Sequence, residues 1–190
     1  MAFKSDHPVL NAQNLIFEAQ KARHYGFDAS LAIQSVTSIP AKLMGQSHRI
    51  GMILPGFDAD LVIWNKNPFE IGAHPLQVYT DGFKTFEHPN FSASSSNDSE
   101  KQMDSKILEK PVKIIAPSST KGSITFSNIL QIIAGAESQK RNSEELYSIV
   151  VDDGIISCIG ICKQKGTIVD LKGSWVTPVH FYFISGSDYQ

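Results

Sequence analysis

An aspartate and a histidine stand side by side near the start of the sequence, in the segment Ser5-Asp6-His7-Pro8-Val9. A carboxylate beside an imidazole can bind a divalent metal ion or move a proton. A catalytic metal ion needs about three protein ligands and an open position for water. Asp6 supplies one ligand, and His7 is poorly placed for a second because adjacent side chains rarely converge on one ion. The segment therefore indicates part of an active site and not a complete one.

The other acids and cysteines show no spacing typical of a second site. Asp58 and Asp60 flank Ala59, and both are interpreted as acids that shape a turn. Cys158 and Cys162 are separated by three residues and have no histidine nearby. This spacing favours two buried free thiols over a zinc site, which usually needs four ligands.

The composition is that of a globular chain with nearly balanced charge. The 190 residues are 42% hydrophobic, and 17 Lys and Arg stand against 19 Asp and Glu. No basic surface is available to attract nucleic acid. No apolar run approaches the roughly 20 residues that span a bilayer, and residues 1–10 lack the pattern of a signal peptide. A cytoplasmic location is the default expectation, and the sequons at Asn90 and Asn97 would matter only in a secreted protein.

Periodicity predicts three helices in the first 45 residues. Residues 11–25 are good helix formers, and Gly26 follows as a C-terminal cap. A second helix is predicted to begin at Asp28 or Ser30, and a short third one spans residues 40–45. The residues expected on the buried face of the first helix are Leu15, Ala19, Ala22 and, less neatly, Phe17.

β-Rich runs separated by turn signals follow the helices. Strands are predicted at residues 50–54 and 60–64, and Asp81-Gly82 predicts a hairpin between residues 76–80 and 83–86. Residues 87–120 contain few large apolar side chains to offset their ordering entropy, so they are predicted to be a disordered linker. A second β unit, with a hairpin turn at 153–154, is predicted from runs at 124–133, 147–151, 155–159 and 167–171.

The stretch from His48 to Gly82 resembles the closing signature of the amidohydrolase superfamily. In that family a run of the form R-I-G-x-I-x-x-G-x-D-A-D-L-V-I-W follows the last helices of a metal-dependent (β/α)8 barrel and forms strands of a flanking β-sandwich. The segments "SDHPVLN" and "FEAQKARHYG" are most similar to large fungal amidohydrolase-related proteins and N-acetylglucosamine-6-phosphate deacetylase-like proteins. The matching positions are Arg49-Ile50-Gly51, Gly56, Asp58 to Val62, Val78 to Gly82, and Thr37 to Gly45, with Ile39 where Asn is commoner.

The resemblance implies metal-assisted hydrolysis of a carbon–nitrogen bond in a small-molecule amide, with zinc as the expected divalent metal. By its position ahead of the terminal helices, Asp6 matches the family aspartate that approaches the metal and takes a proton from the attacking water. His7 is a possible supporting neighbour of that carboxylate. The resemblance thus assigns both the catalytic and the metal-binding role in this chain to Asp6.

The pattern of the family breaks off near the end of the chain. Residues 148–178 resemble the family's opening sandwich, yet an H-x-H pair of histidine ligands does not follow Pro178. Barrel strands one to seven have no matching positions either. This chain alone is therefore expected to bind no metal and to be inactive. An incomplete gene product, with an internal start and an end outside the normal frame, is a further interpretation.

The fold class implied is α/β: the C-terminal part of a metal-dependent hydrolase (β/α)8 barrel followed by small β-sandwich segments. Helices that lack their barrel should expose their apolar faces, which favours self-association, or repack against the β unit. The alternative function is a non-catalytic interaction module in which the two β units join. The predicted division is a barrel strand end with helices at 1–48, closing strands at 49–86, the linker at 87–120, a second sandwich-like segment at 121–178 and an atypical tail at 179–190.

Overall fold

The computed structural model describes residues 1–3, 14–86, 122–134 and 146–180. None of the helices in these ranges is long and apolar enough to cross a membrane. The predicted linker at 87–120 and residues 181–190 of the predicted tail lie outside the described residues. Within the described ranges the elements are α1 (Leu15–His24), α2 (Ala29–Gln34), α3 (Ser38–Leu43), β1 (Leu61–Trp64), β2 (Pro75–Thr80), β3 (Phe83–Lys84), β4 (Ser123–Ile129), β5 (Gln131–Ile132), β6 (Tyr147–Asp152), β7 (Ile155–Gly160), β8 (Thr167–Asp170) and β9 (Trp175–Pro178).

The three helices form where local signals predict them. Helix α2 begins after Asp28, whose carboxylate accepts hydrogen bonds from the backbone N–H of Ser30 at 2.8 Å and of Leu31 at 3.2 Å. Of the two predicted caps, Asp28 is therefore the one used. Helix α3 begins at Ser38, so Pro40 lies in the first turn, where its missing N–H costs no helical hydrogen bond.

One sheet combines strands from both predicted β segments. Its order is β3-β2-β1-β9-β5, and β1 pairs with β9 in an antiparallel register that places Val62 opposite Thr177. Strand β5 joins β9 in parallel. The predicted hairpin at Asp81-Gly82 is confirmed, since β2 and β3 pair antiparallel on either side of it. Two stretches that lie far apart in the sequence thus complete a single sheet.

The second sheet has four strands in the order β7-β6-β4-β8, with β4 antiparallel to β6 and parallel to β8. The hairpin predicted at Asp153-Gly154 is confirmed between β6 and β7. The single strand predicted at 124–133 is divided, because β4 lies in this sheet and β5 in the other. The register shifts between Phe126 and Ile129, and Asn128 has a φ of 57°, which turns the chain from one sheet to the other.

The five-stranded sheet has apolar layers on both faces. Side chains alternate along a strand, so Leu61 and Ile63 of β1 pack with the four-stranded sheet, while Val62 and Trp64 pack with the helices. The helices contribute Leu15, Ile16, Ala19, Ala32, Ile33 and Val36 to that second layer. Both expected outcomes are observed in part: these residues pack against the β unit, whereas Phe17, Leu31 and Leu43 stay exposed.

The strand predicted at residues 50–54 is wrong. Gly51 has a φ of +86°, and a Cβ at this position would lie 2.7 Å from the Cβ of Ala41 in α3. The chain therefore turns closely past α3 instead of extending. The N–H of Ile53 donates to the carbonyl oxygen of Ala134, just after β5, at 3.1 Å.

Candidate functional site

The two residues predicted to carry the chemistry, Asp6 and His7, lie outside the described residues, so their roles stay predictions. The chain just before them is described. The N–H of Phe3 donates to the carbonyl oxygen of Ser35 at 3.0 Å, and the rings of Phe3 and Phe27 are 6.4 Å apart. Residue 3 is thus held at the end of α2 by a backbone hydrogen bond and a ring contact.

The described ranges do not by themselves fit a metal ion. Among their residues, no group of three or more His, Cys, Asp or Glu side chains is placed to hold one. A catalytic metal site needs about three such ligands.

The segment around Ala59 lies between the two hairpin turns. The N–H of Ala59 donates to the carbonyl oxygen of Gly154 at 2.7 Å, and the N–H of Gly82 donates to the carbonyl oxygen of Ala59 at 3.1 Å. The turns approach so closely that a Cβ on Gly154 would lie 2.6 Å from the carbonyl oxygen of Asp81. The D-A-D element thus joins the first β segment to the second.

The two acids of that element hold turns, in agreement with their structural interpretation. Asp58, whose side chain is 6% exposed, accepts hydrogen bonds from Nε and Nη2 of Arg49 at 2.6 Å each, and the bond to Asp58 raises the pKa of Arg49. Asp60 accepts the backbone N–H of Asp81 at 2.9 Å. Burial raises the pKa of Asp60. Both carboxylates are therefore engaged with protein partners.

A serine, an aspartate and a lysine meet on the four-stranded sheet. The Ser123 hydroxyl donates to Asp152, and Nζ of Lys165 lies 2.9 Å from the other carboxylate oxygen. The hydrogen bond from Ser123, followed by that from Lys165, lowers the pKa of Asp152 to about 2. A carboxylate held ionised by a lysine is a weak base. This trio is therefore an ion pair and not a nucleophile with its base.

The prediction of two free thiols is wrong, because Cys158 and Cys162 form a disulfide. Their Cα atoms are 6.1 Å apart, within the range that a disulfide spans. Ser148 on β6 holds the returning chain, since its hydroxyl donates to the carbonyl oxygen of Gly160 and accepts the N–H of Cys162. The approach of Cys162 to Cys158 depends on the neighbouring strand β6, and the spacing of the two cysteines along the sequence does not reveal this contact.

An apolar cavity of about 280 Å³ lies between α1 and the helix-facing side of the five-stranded sheet. His180 lines it, with its ring 5.8 Å from that of Trp64. The residue is half-buried, yet its Nε2 atom is fully buried and has no hydrogen-bond partner among the described residues. Burial lowers the pKa of His180 to about 4. Sequence reasoning missed this residue because it falls in the stretch assigned to an atypical tail.

Both tryptophans pack in the layer beneath the helices. Trp64 is buried, and its indole N–H donates to the Thr177 hydroxyl at 3.0 Å. Trp175 is half-buried against the same cluster. They line the sheet on the side of the cavity, although only Trp64 borders it.

Comparison with known proteins gives consistent matches. A family model described as the amidohydrolase family matches residues 2–103. Amidohydrolase tasK from Hapsidospora irregularis is 32% identical over an alignment of 170 residues, and the match covers 86% of this chain and 17% of that protein. The crystal structure of an amidohydrolase from Thermotoga maritima MSB8 is 40% identical over 43% of this chain and 21% of that one, with a TM-score of 0.41. The chain thus spans 17% of the length of the curated relative that it matches.

Proposed function

Because this chain belongs to the amidohydrolase family, we propose that it is the C-terminal part of an enzyme that hydrolyses a carbon–nitrogen bond in a small-molecule amide. The match over residues 2–103 carries this proposal, since that range includes both Asp6 and the D-A-D element around Ala59. The chain spans 17% of the curated relative, so the activity proposed is that of a longer protein. Its placement among fungal or deacetylase-like members stays a prediction.

The family is generally metal-dependent, and in the longer enzyme a divalent ion, zinc being the expected one, would polarise the substrate carbonyl. Asp6 is the residue of this chain that would bind the ion. Its carboxylate would also take a proton from water and pass it to the leaving amine. His7 would orient that carboxylate. The remaining ligands would come from parts of the enzyme outside this chain.

The chain alone is proposed to be inactive, and zinc content tests this directly. The purified chain and its Asp6→Ala variant would be incubated with zinc, freed of excess and analysed by elemental mass spectrometry. Because one carboxylate cannot hold a catalytic ion, we expect fewer than about 0.1 zinc ions per chain in both. About one ion per wild-type chain, lost in the variant, would show that the chain contains a complete site.

A hybrid protein tests Asp6 itself. In this hybrid the chain would replace the matching 170-residue stretch of tasK, and zinc would be measured with and without Asp6→Ala. We expect the hybrid to retain zinc and the variant to lose it, whereas a His74→Ala control should retain it. Equal zinc in the hybrid and its Asp6→Ala variant would remove Asp6 from the ligand set.

A second candidate function is a non-catalytic interaction module, and the pairing of β1 with β9 favours it. Under this proposal the two sheets constitute one sandwich that folds as a unit. The chain should then unfold in a single cooperative transition, with coincident circular dichroism and fluorescence curves. Two separate transitions would indicate that the β segments fold independently.

The partner proposed for that module is a second copy of this chain. Three apolar side chains on the helices stay substantially exposed: Phe17, Leu31 and Leu43. Sedimentation velocity over a range of concentrations should show a dimer that weakens in a Leu31→Glu, Leu43→Glu variant. A monomer at all concentrations would argue against a homotypic interface on this surface.

A further inference from the structure

The disulfide between Cys158 and Cys162 lies at the margin of the fold. Cys158 belongs to β7, an end strand of the described four-stranded sheet, and Cys162 follows two residues after that strand ends. Both cysteines are only partly buried, and Ile161 between them is 79% exposed. The chain just before β1 contacts β7 at Ile156, near the start of that strand and away from Cys162. The bond is therefore placed where a small thiol from solution can reach it.

The fold also provides for the reduced state of Cys162. Its sulfur lies 3.8 Å from the carbonyl oxygen of Ser148, and its N–H donates to the Ser148 hydroxyl at 3.1 Å. A thiol has a proton that it can donate weakly, whereas a disulfide sulfur has none. Reduction therefore gives Cys162 a hydrogen-bond acceptor that is already in place, and the backbone contact with Ser148 keeps the thiol close to Cys158.

Opening the bond should leave the rest of the sheet intact. The ring that the bond closes contains three residues between the two cysteines, 159–161. Beyond this ring the chain is held independently at Lys165, whose N–H donates to the Thr125 hydroxyl at 2.8 Å and whose carbonyl oxygen accepts from it at 2.7 Å. Thr125 is buried in β4. Reduction thus releases a short segment whose two ends stay bound to neighbouring strands.

From these three features we infer that Cys158 and Cys162 are a redox-active pair that exchanges reversibly with a low-molecular-weight thiol and its disulfide, of the glutathione class. A glutathione thiolate attacks one sulfur of the bond and forms a mixed disulfide, while the other sulfur leaves as a thiolate and takes a proton from water. A second glutathione thiolate attacks the glutathione sulfur of the mixed disulfide. Glutathione disulfide forms, and the second cysteine leaves as a thiolate that is also protonated.

Two electrons pass from glutathione to the protein in this sequence, and glutathione disulfide reverses it. The site is separate from the proposed hydrolase activity and does not depend on it. All the residues that form it belong to the described four-stranded sheet and the chain that joins β7 to β8.

The test measures the thiol content of the full chain in glutathione buffers at neutral pH, by alkylation of free thiols followed by mass spectrometry. Starting from the oxidised chain, about 10 mM glutathione should reduce more than half of the bond within about an hour. Glutathione disulfide added afterwards should restore the bond. The oxidised and the reduced chain should reach the same ratio of the two forms in a given buffer.

The same buffers with guanidinium chloride give a matched measurement on the unfolded chain. Because bond formation and folding are linked, the factor by which folding favours the bond equals the factor by which the bond favours folding. The chain-entropy relation for this short loop gives about 30-fold in favour of the disulfide in the folded chain. A factor above about 1,000-fold would identify a structural bond and contradict the inference.

Two serine variants locate the contact that supports exchange. Ser148→Ala removes the hydroxyl that holds Cys162, so the dithiol gains freedom that the closed ring lacks, and we expect a shift of about fivefold toward the dithiol. Ser157→Ala is the matched control on β7, where the hydroxyl donates to the Val150 carbonyl oxygen at 3.2 Å, and the equilibrium should stay within about twofold. Equal shifts in the two variants would remove Ser148 from the site.

Three results on the wild-type chain would overturn the inference. The first is a bond that persists in about 10 mM glutathione in the folded chain while the unfolded chain is reduced. The second is a reduced chain that loses the circular dichroism of its β-sheets, and the third is a reduced chain that glutathione disulfide does not reoxidise. None of these measurements needs a variant, so the inference stays testable even if a substituted chain fails to fold.

Discussion

The two faces of the five-stranded sheet differ in how completely they are packed, although the same strands supply both. Leu61 and Ile63 of β1 meet the four-stranded sheet in one continuous apolar cluster. Val62 and Trp64 meet the helices, where a cavity remains and where Nε2 of His180 has no hydrogen-bond partner in the described part of the chain. All four residues of β1 are buried. Burial of a strand therefore does not determine whether its neighbours fill the space around it.

The difference follows from what each face packs against. A sheet presents a broad surface of side chains, and two sheets interdigitate across their whole contact. The helices are short, with α1 at 10 residues and α2 and α3 at 6 each. Three short helices cover a sheet less completely than a second sheet does and leave spaces between their side chains and the strands. The cavity bordered by described residues lies on the face covered by the helices.

The largest expected effect comes from making the same change, isoleucine to alanine, on each face of the five-stranded sheet. Ile63→Ala removes a fully buried side chain from the cluster between the sheets, and should lower the free energy of unfolding by about 4 kcal/mol. Ile16→Ala removes the same atoms from the cavity wall and should cost about 2 kcal/mol, because the space there already opens to solvent. Urea unfolding of both variants provides the measurement. Equal losses would mean that the faces are equally well packed.

The next largest effect is expected from a substitution at the contact between the two hairpin turns. Gly154→Ala places a Cβ at 2.6 Å from the carbonyl oxygen of Asp81 and keeps a φ of +85°, so we expect a loss of about 3 kcal/mol. Gly56→Ala is the control, since its φ is +91° but nothing lies within 4 Å of the added Cβ, and it should cost about 1 kcal/mol. Thermal unfolding of the pair separates close approach from backbone conformation. Equal losses would attribute the whole effect to the backbone conformation.

The disulfide on the four-stranded sheet should contribute less. Its loop is short, and the chain-entropy relation gives about 2 kcal/mol for such a loop. Reduction of the wild type should lower the free energy of unfolding by that amount, and a Cys158→Ser, Cys162→Ser variant should match the reduced protein. The variant should not respond to reductant. Identical urea curves for oxidised and reduced wild type would show that the stability of the four-stranded sheet does not depend on this bond.

The smallest effect is a pH dependence on the helix-covered face. The folded pKa of His180, about 4, lies below its ordinary value of 6.5, so the unfolded state binds more protons between these values. Stability should therefore fall by about 1–2 kcal/mol as the pH decreases from about 6.5 to about 4, the partial exposure of the residue limiting the loss.

His180→Phe should remove this component of the pH profile, while His74→Phe should leave it in place. The difference between wild type and His180→Phe is the quantity to measure, because Asp60, whose pKa is raised, contributes with the opposite sign. Unfolding curves collected at several pH values provide it. Parallel profiles for wild type and His180→Phe would show that the ring is not protected from protonation.

Features that depend on a few neighbouring residues were predictable. The hairpins at Asp81-Gly82 and Asp153-Gly154 and the cap at Asp28 all form as expected, since turn and cap geometry is local. The family was also recognisable, because its glycines and acids stand at set offsets. The predicted site, Asp6 with His7, lies outside the described residues and stays a prediction.

Features that depend on distant residues were not predictable. Residues 124–133 have one composition throughout, yet they divide between two sheets at Asn128. The disulfide forms because Ser148 on the adjacent strand holds the returning chain. His180 lies at the same cavity as residues of helix α1 and strand β1, neither of which is near it in the sequence.

The sequence by itself determined the local elements, the turns that connect them and the family to which the chain belongs. Only the tertiary structure decided that the two β segments share a sheet, that the helices cover one of its faces and that a cavity bordered by His180 remains there. The physical reason is the range of the interactions. A turn is specified within four residues, whereas the hydrogen bond between Trp64 and Thr177 joins positions 113 residues apart.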